Sequence, residues 1–193
     1  MTKTELRADV LQRRSSITSE DRSLWDQIIF ERAHKVRAFQ IAERVHIYRN
    51  IGSEIETMPF IEYAWGIGKD VYVPMIPPGK GIMVHCRITW RTQWREGAFG
   101  IPEPVVEDDA DVITNDEFFD TGSAIIVPLV AFDRQCHRIG YGKGYYDRFL
   151  RNTTSPTIGI AYELQRVTSV VPEAHDVALT CVATQERWYV PST

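Results

Sequence analysis

Ser123-Ala-Ile-Ile-Val-Pro128 is the segment that most restricts how this chain can fold. It is a short, β-branched apolar run bounded by turn residues, the pattern of a buried strand. Val45-His-Ile-Tyr48, Asp70-Val-Tyr-Val-Pro74, Met83 to Trp90 and Thr157-Ile-Gly-Ile-Ala161 read as further strands. Val177 to Val190 reads as a last strand with irregular structure, and Leu129-Val-Ala-Phe-Asp133 extends the apolar stretch after Pro128. Helical patterns lie between them. Thr2 and Glu5 have capping-box spacing, which predicts a helix to about Arg14. A second helix starts near Thr18 or Ser19 and recurs with Trp25, Ile28, Ile29, Ala33 and Val36 on one face. Glu56 to about Gly68 and Gly142 to about Arg151 are two more. Pro77 to Gly81 reads as a turn, and Gly97 to Pro104 as a loop. Helices that alternate with short apolar strands favour an α/β fold with a mostly parallel sheet covered on both faces.

Length and charge narrow the partners. A chain of 193 residues suits one large domain, taken here as 1–193. A net charge of −4, from 22 basic and 26 acidic residues, provides no basic surplus for a nucleic-acid backbone. A local basic pocket for a small anion stays open. Cys86, Cys136 and Cys181 are odd in number and form no CxxC pair, which argues against a disulfide framework or a zinc site. The N-terminus lacks the apolar run of a signal peptide, and no apolar stretch approaches the roughly 20 residues that span a bilayer. The expectation is a cytoplasmic protein without a membrane partner.

Arg138-Ile-Gly-Tyr-Gly-Lys-Gly-Tyr-Tyr-Asp147 carries the strongest chemical signal. Three glycines at every second position let a backbone approach a ligand closely. A helix starting there would aim free N–H groups at an anion, with Arg138 and Lys143 adding positive charge. Asp147 has the hard oxygen donors that Mg²⁺ takes. The segment is neither a Walker A loop nor a dinucleotide GxGxxG. Glycine spacing alone leaves a plain glycine-rich turn as the competing reading. Lys3, Arg7 and Arg14 fall on one narrow stripe of the first helix, at i, i+4 and i+11.

The ordered set of motifs resembles the 5-formyltetrahydrofolate cyclo-ligase family, also called methenyltetrahydrofolate synthetases. The match runs from Lys3-Thr-Glu-Leu-Arg7 through Ser53-Glu-Ile-Glu-Thr57, Gly97 to Pro104 and Val127 to Asp133. It continues through Arg138–Asp147 to His175-Asp176-Val177 and Thr184. The resemblance implies a three-layer α/β/α fold and an ATP- and Mg²⁺-dependent closure of 5-formyltetrahydrofolate to 5,10-methenyltetrahydrofolate. ATP would phosphorylate the formyl oxygen, a folate nitrogen would attack the activated carbon, and phosphate would leave. By the same resemblance, Lys3 and Arg7 contact ATP, together with Arg138, Ile139, Gly140, Tyr141, Gly142, Lys143, Gly144, Tyr145 and Tyr146. Lys143 and Arg138 are the catalytic choices. Arg49 and Glu54 contact the folate, bordered by Tyr141 to Tyr145, and Asp147 and Asp176 hold Mg²⁺. An N-cap or first-turn acid of the following helix is the alternative for Glu54, and a helix cap or turn acid the alternative for Asp176. Trp94 or Phe99 is a candidate for stacking on the pterin. Nothing is carried over to Arg14, and a monomer is expected. Leu129-Val130, Gln185, Cys136 and His137 depart from the family pattern. His34, His46 and His85 lack metal-ligand spacing.

Overall fold

A computed structural model describes residues 2–77, 81–97, 100–106, 108, 111–118, 122–173 and 176–192. The chain opens with helices α1 (Lys3–Ser15), α2 (Ser19–Ala33) and α3 (Arg37–Ile41), then strand β1 (Arg44–Ile47), helix α4 (Met58–Gly66) and strand β2 (Asp70–Met75). Strands β3 (Val84–Ile88), β4 (Trp94–Glu96), β5 (Pro102–Pro104) and β6 (Val112–Ile113) follow, then the short helix α5 (Asn115–Phe118). The last part holds β7 (Ser123–Val127), β8 (Ala131–Phe132), β9 (Arg138–Ile139), α6 (Tyr145–Leu150), β10 (Thr157–Ile160), β11 (Cys181–Ala183) and β12 (Trp188–Tyr189).

Eight strands form the central sheet in the order β12-β11-β10-β7-β1-β2-β3-β6. β11, β10, β7, β1 and β2 pair in parallel, while β12 and β3 join antiparallel. The two-residue period of the strands divides the core. Val45, Ile47, Val71, Val73, Ile126, Ile158 and Ile160 face α2, α3 and α4 in one apolar cluster. Tyr72, Ile125, Val127 and Val182 face Phe118 of α5 and Phe149 and Leu150 of α6 in another. The result is the three-layer α/β/α arrangement implied by the resemblance. Among the described residues, no helix is long and apolar enough to cross a membrane.

Several segments differ from the sequence reading. Leu129–Asp133 does not lengthen the sheet strand. It turns away, and Ala131–Phe132 pairs with Arg138–Ile139 in a separate hairpin. Val10 of α1 packs on that hairpin with Val130, Ala131 and Ile139, which explains why the apolar run continues past the sheet. Part of the Gly97–Pro104 loop is strand, because Trp94–Glu96 pairs antiparallel with Pro102–Pro104. α4 begins at Met58, with Pro59 in its first turn, and not at Glu56. α6 begins at Tyr145 after Gly144 adopts a left-handed conformation, φ +69°. Val36 ends outside α2, as the residue before α3. The turn at 78–80 lies outside the described residues.

Strand order reverses between β1 and β7. The chain leaves β1 through α4 toward β2 on one side and leaves β7 through α6 toward β10 on the other. Connections that run in opposite directions put their helices on opposite faces of the sheet, and a crevice opens at the carboxyl ends of the two strands.

Candidate active site

A cleft of about 750 Å³ occupies this crevice. Its walls come from α1, the loop after β1, the end of β2 and the segment from Arg138 to Asp147. That volume lies in the usual range for small-molecule sites. Lys3, Arg7, Arg49, Glu54, Arg138 to Asp147 and Asp176, singled out from the sequence for nucleotide, folate or metal, all line it, whereas Trp94, a candidate for stacking on the pterin, is not among its lining residues. Ile51, Pro74, Ile76, Met83, Ile101 and Pro128 form an apolar wall, which suits a flat ring more than a second phosphate.

α1 presents the basic stripe because its start is held by both arms of a capping box. The Glu5 amide donates to Thr2 Oγ1 at 3.2 Å, and the Thr2 amide donates to Glu5 Oε2 at 2.7 Å. Arg7 Nε donates to the Gly140 carbonyl at 2.8 Å. The guanidinium lies so near the glycine-rich loop that a Cβ on Gly142, whose φ is +91°, would stand 3.3 Å from it. Lys3 Nζ pairs with Asp176 at 2.6 Å and Glu173 at 2.9 Å. Partial burial lowers the Lys3 pKa, but the two carboxylates outweigh it and the ammonium ends above its ordinary value.

Arg138 is nearly sealed, at 3% side-chain exposure, and donates to Asp147 Oδ1 at 2.7 Å and to the Val177 carbonyl at 2.8 Å. It therefore anchors the loop from beneath. Asp176 also accepts from the Glu173 amide at 2.9 Å, so the turn-acid reading holds for this residue alongside its place in the cleft. Asp147 and Asp176 supply hard oxygen donors in one cleft. Among the described residues, no group of three or more His, Cys, Asp or Glu could hold a metal. This donor set fits Mg²⁺ brought in with phosphates, which needs only one or two carboxylates from protein.

On the other side, Glu54 is buried at 6% exposure. It accepts from the Tyr141 hydroxyl at 2.7 Å and from the Ile51 amide at 2.9 Å. Burial pushes its pKa up against these bonds and the Arg14 charge. Since α4 starts at Met58 with Thr57 as its N-cap residue, Glu54 is neither the N-cap nor a first-turn acid of that helix. Trp94 stacks beneath Arg49, whose guanidinium carbon is 4.9 Å from the ring centroid. Trp94 thus meets a cation, and Phe99 lies outside the described residues. Arg49 Nε and Nη1 are buried without a hydrogen-bond partner. Among the departures from the family pattern, the Leu129 and Val130 carbonyls both accept from Gln165 Nε2 at 3.0 Å. Gln185 Oε1 caps the Glu163 amide at 2.9 Å. His137 is a turn residue, its amide bonded to Asp133 Oδ1 at 3.0 Å.

Arg14 is the residue the sequence reading left without a role. It is 3% exposed and reaches the site through the Tyr141 hydroxyl. Its place on the stripe with Lys3 and Arg7 was the available signal.

Residues 1–185 match the 5-formyltetrahydrofolate cyclo-ligase family. The chain belongs to that family. It is therefore a ligase built on the family's fold. The 5-formyltetrahydrofolate cyclo-ligase of Escherichia coli strain K12 is 30% identical over 183 residues, covering 92% of this chain and 97% of that protein. The cyclo-ligase of Haemophilus influenzae is 28% identical over 179 residues, covering 91% and 93%. The 5,10-methenyltetrahydrofolate synthetase of Aquifex aeolicus superposes with a TM-score of 0.81 at 27% identity, covering all of this chain and 94% of that one. A synthetase from Mycoplasma pneumoniae, TM-score 0.72 at 23% identity, shares the fold and covers 96% of this chain.

Proposed function

We propose that this cyclo-ligase closes 5-formyltetrahydrofolate to 5,10-methenyltetrahydrofolate at the expense of Mg-ATP, releasing ADP and phosphate. One observation carries the reading. A single loop, Arg138–Asp147, meets the basic stripe of α1 through Gly140 and meets buried Glu54 through Tyr141. Phosphate-type and pterin-type recognition thus share one cleft, and the two reactants would lie against each other.

Lys3, Arg7 and the loop amides from Ile139 to Tyr146 would receive the phosphates. Glu54 would accept hydrogen bonds from the pterin's amino and ring N–H groups. The orphaned Nε and Nη1 of Arg49 suit an anionic or carbonyl group of the folate. Lys143 would neutralise the transferring phosphoryl, with Arg138 fixing the loop and Asp147. The formyl oxygen takes the γ-phosphoryl, ADP leaves, the second folate nitrogen attacks the activated carbon, and phosphate departs with that oxygen. Asp147 and Asp176 would hold Mg²⁺, which when bound offsets phosphate charge.

Mixing the protein with 5-formyltetrahydrofolate and Mg-ATP tests this. The near-ultraviolet absorbance of the methenyl product should rise in step with phosphate release. Folded protein that yields no such absorbance overturns the proposal, and phosphate release coupled to another acceptor would assign a different ligase or kinase reaction.

A further inference from the structure

Arg14 has no place in the roles above, yet its side chain is buried and reaches the cleft through Tyr141. It lies in the last turn of α1, three turns along the stripe from Lys3. Nε donates to Ser53 Oγ at 2.9 Å, and Nη2 donates to the Tyr141 hydroxyl at 2.7 Å. That hydroxyl donates onward to Glu54 Oε1 at 2.7 Å, and the Ile51 amide holds Oε2 at 2.9 Å. The path runs from a buried cation through a phenol to a buried carboxylate. It bridges α1, the glycine-rich loop and the loop after β1.

A purely structural brace would not require this path. Arg22 already ties α1 and α2 to the same loop, with Nη1 donating to the Ser53 carbonyl at 2.6 Å and Nη2 to the Arg14 carbonyl at 3.2 Å. Asp26 adds a third tie by accepting from the Glu56 amide at 3.3 Å. Burying a guanidinium is unfavourable unless its charge is answered. At Arg14 the answering charge is Glu54, reached through Tyr141.

We infer that Arg14 is a positioning residue for folate recognition: through Tyr141 it aims the Glu54 carboxylate into the cleft and keeps it ionised. This rests on the folate reading of the cleft. Four side chains from the described residues face Glu54. Arg14 from α1 favours the charged form. Tyr48 at the end of β1, Tyr141 from the glycine-rich loop and Tyr146 from α6 are phenols, and burial keeps all three neutral. The Tyr141 phenol itself is pushed up to about 12 by burial and by Glu54. Among the described residues, Arg14 is therefore a cation whose charge stabilises the Glu54 carboxylate against desolvation.

The test is steady-state kinetics of Arg14→Met across pH, with each substrate varied in turn. KM for the folate should rise about 10- to 100-fold, the scale of losing a charge-assisted hydrogen bond. KM for ATP should stay near wild type. The acid limb of kcat/KM for the folate should move to higher pH, because Glu54 loses the charge that held it ionised. Arg14→Lys should restore much of the pH profile and less of the KM. Adding Arg14→Met to Glu54→Gln should move the acid limb no further. If Arg14→Met fails to fold, Tyr141→Phe cuts the same path while leaving the Arg14–Ser53 bond, and should shift the same limb. A folded Arg14→Met or Tyr141→Phe protein with a wild-type acid limb and folate KM would show that Arg14 only braces α1. Wild-type protein without methenyl product would instead overturn the folate reading itself.

Discussion

At the scale of single residues, the site is organised by carboxylates and cations that answer one another. Asp147 is held by Arg138 at 2.7 Å and Asp176 by Lys3 at 2.6 Å, so each expected metal ligand lies beside an expected phosphate ligand. Binding of Mg-ATP would exchange these contacts, with carboxylate turning to metal and cation to phosphate. Asp147→Asn should raise the magnesium concentration needed for half-maximal rate, read from a magnesium titration at saturating ATP. An unaltered titration would remove Asp147 from the metal site. Lys143→Ala should lower turnover about 10²–10³-fold, the usual effect of removing a preorganised donor. Circular dichroism should show an unchanged fold, since Lys143 sits in the loop before α6 and not in the core. Unchanged turnover would refute the role given to Lys143.

At the scale of elements, the loops matter because the strands beneath them are immobilised. β10 lies between β7 and β11 in the middle of the sheet, and Gly159 faces the α6 side. A Cβ there would meet Leu179 Cδ1 at 2.7 Å, Leu129 Cδ2 at 2.9 Å and Val182 Cγ2 at 3.0 Å. Leu129 begins the β7-to-β8 turn that carries the chain toward the glycine-rich loop, so crowding at this point acts on both core and site. Gly159→Ala should destabilise the protein by about 1–3 kcal/mol through overpacking. Urea denaturation measures it, and a midpoint equal to wild type would show that the three side chains yield without cost. The α1 helix works differently. Its apolar face is thin, so its docking combines Val10, Leu6 and Leu11 with hydrogen bonds from Arg7, Arg13 and Arg14 to other elements. The hydrogen bonds add direction to that packing, and so place the basic stripe accurately.

At the scale of the whole molecule, stability should depend on two buried histidines that have no role in the proposed reaction. His46 and His85 are buried among Phe118, Phe149 and Tyr146 beneath the cleft. Burial pushes the His85 pKa down to about 4 and that of His46 well below its ordinary value. In the unfolded chain both titrate near 6.5. The folded state therefore binds fewer protons than the unfolded state below that pH. Their contribution is intact above about pH 6.5 and is lost progressively as pH falls toward 4. Thermal midpoints measured across this window should fall with pH, and His85→Leu should flatten the slope. Equal slopes for the two proteins would refute this. The sequence by itself determined the alternation of strands and helices, the capping box of α1 and the ordered motifs that mark the family. These are local patterns, written within a few residues of one another. Tertiary structure alone decided that Leu129–Asp133 leaves the sheet, because the next partner for its apolar side chains is α1, far away in the chain. It also decided that Arg14 reaches Tyr141 across 127 positions and that Lys3 meets Asp176 across 173. No spacing rule encodes such pairs, since they exist only where the reversal of strand order between β1 and β7 brings distant loops to one crevice.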